Sequence, residues 1–187
     1  MSDSNTAAIV LAAGLGTRMN SNVPKVLHPI AGREMILQLL DSLSQIAPEK
    51  IVVVIGPEMN SVSTTIADAG YTVEIVVQYD RLGTGHAVKQ AENALSGYEG
   101  NVLVLYGDSP LITSETLGNI LNTRSEKSDP AVVVLGFRPA DAAEYGRLVL
   151  DNDTQNLQAI IEAQDADEDQ LTNDLCNSGV MAIDGNI

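Results

Sequence analysis

Five short stretches of this chain are apolar almost from end to end: 7–13 (AAIVLAA), 51–55 (IVVVI), 73–77 (VEIVV), 102–106 (VLVLY) and 131–137 (AVVVLGF). A strand that faces water on one side alternates apolar and polar residues, whereas a strand apolar throughout must be covered on both faces. Helix-like segments lie between these runs. In 34–46, Ile36, Leu39, Leu40, Leu43 and Ile46 recur at helical spacing. Segment 61–69 is stopped by Gly70, 85–95 is a third helix, and 113–125 is entered through Pro110 with Thr113 as its cap. Strands that alternate with helices predict an α/β fold: a Rossmann-like, doubly wound, mostly parallel (mixed) sheet. Past Pro139 the pattern changes. Segments 148–150 and 157–161 flank Asp151-Asn152-Asp153 as a hairpin, an acidic solvated stretch follows at 165–169, and a last strand runs over 179–183.

The core is expected to be aliphatic, because hydrophobic residues make up 44% of the chain but aromatic ones only 3%. At 187 residues the whole of 1–187 reads as a single domain. A formal charge of −15 argues against nucleic acid or an anionic membrane as partner. It also means that a phosphate ligand must be met by locally placed cations or by a metal. The lone Cys176 forms no internal disulfide and reads as a buried thiol. The N-terminus has no basic region, and its apolar run ends after seven residues at Gly14, too short for a signal peptide or a spanning helix. A cytoplasmic location is expected.

The first strand feeds the run Leu11-Ala12-Ala13-Gly14-Leu15-Gly16-Thr17-Arg18-Met19, with Pro24-Lys25 just beyond. A glycine-rich turn after a strand points several backbone N–H groups one way, which suits a polyphosphate. Arg18 and Lys25 add full charges. Neither common nucleotide loop fits: a Walker A loop counted from Gly14 meets Met19 and Asn20 where it needs Gly-Lys, and a dinucleotide fingerprint needs glycine at Met19. Asp108, at the end of the VLVLY run, is placed to hold Mg2+, which takes one or two protein carboxylates and completes its shell with phosphate and water. Its alternative is a turn residue bonded to nearby amides. With His28 and His86 far apart and one cysteine, a zinc site or a Cys–His nucleophile is not supported.

Taken in order, the first loop with Pro24-Lys25-Val26-Leu27-His28, Ala31-Gly32, Gln78, Leu82-Gly83-Thr84-Gly85-His86-Ala87, Tyr106-Gly107-Asp108 with Pro110-Leu111, and Tyr145-Gly146-Arg147 resemble the sugar-nucleotidyltransferases. More narrowly, from about Ala7 to Met181, the chain resembles the N-terminal uridylyltransferase domain of the bacterial bifunctional enzymes that make UDP-N-acetylglucosamine. That resemblance implies a fold of the nucleotide-diphospho-sugar transferase type and an Mg2+-dependent reaction in cell-wall precursor biosynthesis. UTP and N-acetylglucosamine 1-phosphate would give UDP-N-acetylglucosamine and pyrophosphate. It implies catalytic roles for Arg18, Lys25 and Asp108, with Asp108 also the metal ligand. Nucleotide would be held by Leu11, Ala12, Ala13, Gly14, Gln78, Gly83, Thr84, Tyr106 and Gly107, and sugar by Gly146, Glu162 and Asn177 in a sugar-binding part over 140–187.

Two departures bear on activity. The family has lysine two residues after the sugar-binding glutamate, where this chain has Gln164. Its second magnesium ligand, an asparagine, would lie beyond Ile187, so a domain shortened at its C-terminal end is expected, with native length and any following acetyltransferase domain open. Oligomerisation is expected, if at all, of a full-length protein. The alternatives are a related transferase using another nucleotide or sugar phosphate, or a catalytically weak nucleotide-binding fragment.

Overall fold

The first apolar run forms strand β1 (Thr6–Leu11), buried at every position. The computed structural model describes residues 5–186, the side chain of Thr17 excepted. After β1 come single 3-10 turns at Thr17–Met19 and Lys25–Leu27, a short antiparallel pair β2 (Pro29–Ile30) and β3 (Arg33–Glu34), and helix α1 (Met35–Ser44). Then follow β4 (Lys50–Ile55), α2 (Asn60–Asp68), β5 (Glu74–Val77), α3 (Thr84–Lys89), β6 (Asn101–Tyr106), α4 (Ser114–Arg124) and β7 (Val132–Phe137). The chain continues through β8 (Arg147–Leu150), β9 (Leu157–Ile161), α5 (Glu168–Leu171) and β10 (Cys176–Asp184).

These elements divide into two compact units, one formed by the chain up to Val133 and from Met181 onward, the other by Val134–Val180. In the first, β5, β4, β1 and β6 run parallel in that order, and Met181–Asp184 of β10 pairs antiparallel with β6. The sheet is therefore mixed and mostly parallel, as the apolar runs predict. Ala7, Ile9, Leu11, Val52, Val54, Val102 and Val104 pack on one face with Ala87 and Ala91. The alternate residues Ala8, Val10, Val53, Leu103 and Leu105 are fully buried too, so both faces are covered. In the second unit β8 and β9 form the expected antiparallel hairpin, with a register shift at Val149/Leu150. The single cysteine, Cys176, is buried there. No helix among the described residues is long and apolar enough to cross a membrane.

Three elements differ from the sequence pattern. Helix α3 ends at Lys89; beyond it Gln90, Ala91 and Glu92 donate to the carbonyls three residues back, so the winding tightens into turns. Strand β10 begins three residues early, because Cys176 pairs antiparallel with Arg147 of β8 and Asn177 N–H donates to the Gly146 carbonyl. The β2–β3 pair carries no periodic signal and is set by its turn, where Ala31 and Gly32 both have positive φ (52° and 85°), the backbone of a two-residue hairpin loop.

Register fixes where the loops meet. Leu11 lies beside Val54 and Tyr106, and Ile55 beside Val77, so four parallel strands end at one edge. Ala12 N–H donates to Val54, Gln78 N–H to Ile55 and Gly107 N–H to Leu11, which carries the pairing into the loops.

Candidate active site

At that edge of the first unit lies a cavity of about 570 Å³. Leu11, Ala12, Ala13, Gly14, Arg18, Lys25, Gln78, Gly83, Thr84, Tyr106 and Asp108 all line it. Of the nucleotide and catalytic residues expected from sequence, Gly107 alone does not. Gly16, Met19, Val26 and Ala87, which fall in the motifs quoted above without an assigned role, complete the lining with Arg81, which sequence reasoning did not name. Three cations, Arg18, Lys25 and Arg81, face it with Asp108 as the acidic member of the lining. In a chain of net charge −15 this is a local reversal of sign, where an anion gains from the cations without meeting the bulk charge.

The first loop bends where it must. Gly16 has a φ of +60°, and a Cβ there would stand 2.7 Å from Lys25 Cβ, so both conformation and contact require glycine. Gly14 has no such constraint; nothing lies within 4 Å of a Cβ built on it, which leaves its main chain open to the cavity. Gly107 is buried, and a Cβ there would meet Val26 at 3.1 Å and the Leu11 carbonyl at 3.3 Å. Glycine at 107 lets the loop after β6 pack against the loop after β1.

Lys25 Nζ donates to Asp108 Oδ2 at 2.5 Å, an ion pair between the 3-10 turn and the end of β6. The two side chains are 42% and 28% exposed, so solvent screens the pair and its stabilisation is about 0.5 kcal/mol. Its importance is placement, since it holds an ammonium and a carboxylate at the same point of the cavity wall. Gln78 is almost fully buried. Its Nε2 donates to the Gly83 carbonyl (3.3 Å) and lies 3.1 Å from His86 Nδ1. His86 thus reaches the cavity wall through Gln78.

The residues expected to bind sugar gather in the second unit. Asn177 N–H donates to the Gly146 carbonyl at 2.8 Å, and a Cβ on Gly146 would stand 3.4 Å from Glu162 Oε2. Asn177 Oδ1 accepts from Gly179 N–H, which fixes its amide. Arg147 is buried and donates to the carbonyls of Ala142, Ala143 and Tyr145, holding the turn that carries Gly146. Gln164 lies exposed in the turn after Glu162. Glu168 and Asp169 of the acidic stretch form the first turn of α5, capped by the side chain of Asp167.

A hard divalent cation fits the donor set at Asp108. Mg2+ needs oxygen ligands and fills most positions with phosphate and water, so one cavity-facing carboxylate beside cations is sufficient protein ligation. Among the described residues no group of three or more His, Cys, Asp and Glu side chains is arranged to hold a metal unaided. An ion here would be shared with a phosphate ligand.

Comparison with known proteins gives the family and the fold. Residues 8–166 match the family model described as the MobA-like NTP transferase domain. Over 186 residues, all of this chain, the sequence is 56% identical to the bifunctional protein GlmU of Paramagnetospirillum magneticum. It is 54% identical over 182 residues to that of Rhodospirillum rubrum. The chain spans 40% of the length of each of these relatives. Among solved structures, a Bacillus anthracis protein described as a glucose-1-phosphate thymidylyltransferase superposes with a TM-score of 0.79 at 20% identity, covering 97% of this chain and 72% of that one. HddC from Yersinia pseudotuberculosis, complexed with GMP-PN, superposes with a TM-score of 0.73 at 20% identity over 96% of this chain and 77% of that one.

Proposed function

Because this chain belongs to the MobA-like NTP transferase domain family, we propose that it transfers a uridylyl group from UTP to N-acetylglucosamine 1-phosphate, yielding UDP-N-acetylglucosamine and pyrophosphate. The observation that carries this reading is the convergence of the glycine loop, Arg18, the Lys25–Asp108 pair and Gln78 on one cavity. The relatives named GlmU support the choice of nucleotide and sugar. The reading places the product among peptidoglycan precursors and the cofactor as Mg2+.

The reaction needs no base from the protein. A phosphate monoester is largely dianionic at neutral pH, its second pKa being about 6, so its oxygen is already nucleophilic. That oxygen attacks the α-phosphorus of UTP; the new P–O bond forms as the bond to the β-phosphate oxygen breaks, and pyrophosphate leaves with the electron pair. The protein's task is to hold two anions together and to stabilise charge on the leaving group. The main chain of 11–14 and the amide of Gln78 hold uridine, with Gly83 and Thr84 beside it and Tyr106 in the wall. Arg18 and Lys25 neutralise the triphosphate. Asp108 would hold Mg2+, which when bound would draw electron density from phosphate oxygens. Gly146, Glu162 and Asn177 take the sugar.

The test is pyrophosphate release from UTP and N-acetylglucosamine 1-phosphate in the presence of Mg2+, alongside CTP, GTP, dTTP and other sugar phosphates. Preference for another pair replaces the substrates proposed. Gln164, a neutral amide where the resembled family has lysine, favours a second reading as a nucleotide-binding module; UTP binding without turnover in excess Mg2+ would establish it.

A further inference from the structure

The geometry points to Arg81 as a positioning residue that aims the Gly14 amide into the nucleotide cavity, through a clamp joining three strand-end loops. The inference rests on the nucleotide-site reading above. Arg81 Nε donates to the Ala13 carbonyl at 2.9 Å, and its Nη2 pairs with Glu58 Oε1. Ala13 follows β1, Glu58 follows β4 and Arg81 follows β5, so one planar guanidinium ties all three. Two features show that the slot is built for it. Gly56 has no side chain where Arg81 passes; a Cβ there would stand 2.4 Å from Arg81 Nη2. The Glu58 carboxyl is held below the usual carboxylate range, first by its own backbone N–H and then by Arg81, so the anchor stays charged.

The consequence follows from the planar trans peptide. Across the 13–14 bond, the Ala13 C=O and the Gly14 N–H point in opposite directions. With the carbonyl held on Arg81, the Gly14 N–H is directed away from the guanidinium. Gly14 lines the cavity, with nothing within 4 Å of its missing side chain. Left to itself, a glycine-flanked peptide rotates easily and presents either its donor or its acceptor. The clamp selects the donor, the polarity an anion or a base carbonyl requires.

UTP binding to the 187-residue chain, followed by calorimetric titration, tests this with the parent and four variants. Arg81→Met removes the guanidinium and keeps the stem. Gly56→Ala displaces it by contact, a shift that a flexible side-chain end absorbs without loss of fold. Glu58→Gln removes the anchoring charge. Neither Gly56 nor Glu58 lines the cavity. All three are expected to weaken UTP binding, by about tenfold for Arg81→Met and Gly56→Ala and less for Glu58→Gln, with melting temperatures close to the parent's. Arg81→Lys, which keeps a donor near the Ala13 carbonyl, recovers part of the loss. If Arg81→Met alone weakens binding, Arg81 contacts the ligand directly and the clamp is refuted; if all variants bind as the parent does, it is refuted as well. A parent chain that does not bind UTP overturns the nucleotide reading itself, and the clamp with it.

Discussion

Lys25 and Asp108 compete for the same charges. In the proposed reaction the carboxylate would be the oxygen ligand for a divalent cation and the ammonium a compact donor to phosphate, whereas here the two pair with each other at 2.5 Å. Removing the carboxylate therefore separates binding from turnover. Asp108→Asn leaves Lys25 free to meet the triphosphate, so UTP binding measured in EDTA is expected to hold or tighten, while pyrophosphate release in Mg2+ falls by about 10²- to 10³-fold. A parallel loss of both would show that Asp108 only shapes the loop. The role proposed for Gln78 is selectivity instead. Its amide nitrogen is engaged by the Gly83 carbonyl and lies beside His86 Nδ1, which leaves the oxygen as the group to meet a base. Gln78→Ala is expected to lower the preference for UTP over CTP by about tenfold, read as a ratio of kcat/KM values, because a site that hydrogen-bonds a specific edge discriminates through it. An unchanged ratio would remove Gln78 from base recognition.

At the scale of elements, helix α4 shows how the frame of the cavity is fastened. Thr113 caps it, accepting from Thr116 N–H at 3.1 Å as the sequence pattern suggests. At its other end the buried Arg124 pairs with Asp129 and with Asp184 of β10, both at 2.6 Å. Arg124→Met removes the guanidinium that joins Asp129 to Asp184 while Asn186 still bonds the Asp184 carboxylate, and is expected to lower stability in urea unfolding, with the slope unchanged. A cost below about 1 kcal/mol would class the pair as a solvent-screened contact. The sequence shows where the strands lie because burial on both faces leaves an unmistakable apolar run, and it shows Lys25 and Asp108 because charged residues directly after such runs are conspicuous. Other features carry no local signal. Arg81 is one cation in a loop, and its tie to Ala13 spans 68 residues. Gly107 looks like a site for ligand approach, yet Val26 and the Leu11 carbonyl crowd it. The β2–β3 pair depends on two positive φ values that Ala31-Gly32 does not advertise.

At the scale of the molecule, an acidic chain is kept folded partly by carboxylates that the folded state prefers ionised. Asp184 lies below its usual value of 3.8, held first by the Asn186 N–H and side chain and then by Arg124. Asp151 is lowered chiefly by the Thr154 backbone N–H and hydroxyl, in the β8–β9 turn. A carboxyl with a depressed folded pKa contributes stability that is complete above the ordinary carboxylate range and lost as pH falls through the folded value. Melting temperature is therefore expected to drop on acidification below about pH 4, and Asp184→Asn to flatten that drop; an equal acid dependence in the variant would assign it to other groups. Purified chain with UTP, N-acetylglucosamine 1-phosphate and Mg2+ should release pyrophosphate and UDP-N-acetylglucosamine in equal amounts, and the Lys25→Ala and Asp108→Asn chains should release neither at a comparable rate. Equal turnover by those variants, or release from another nucleotide and sugar phosphate in preference, would contradict the account.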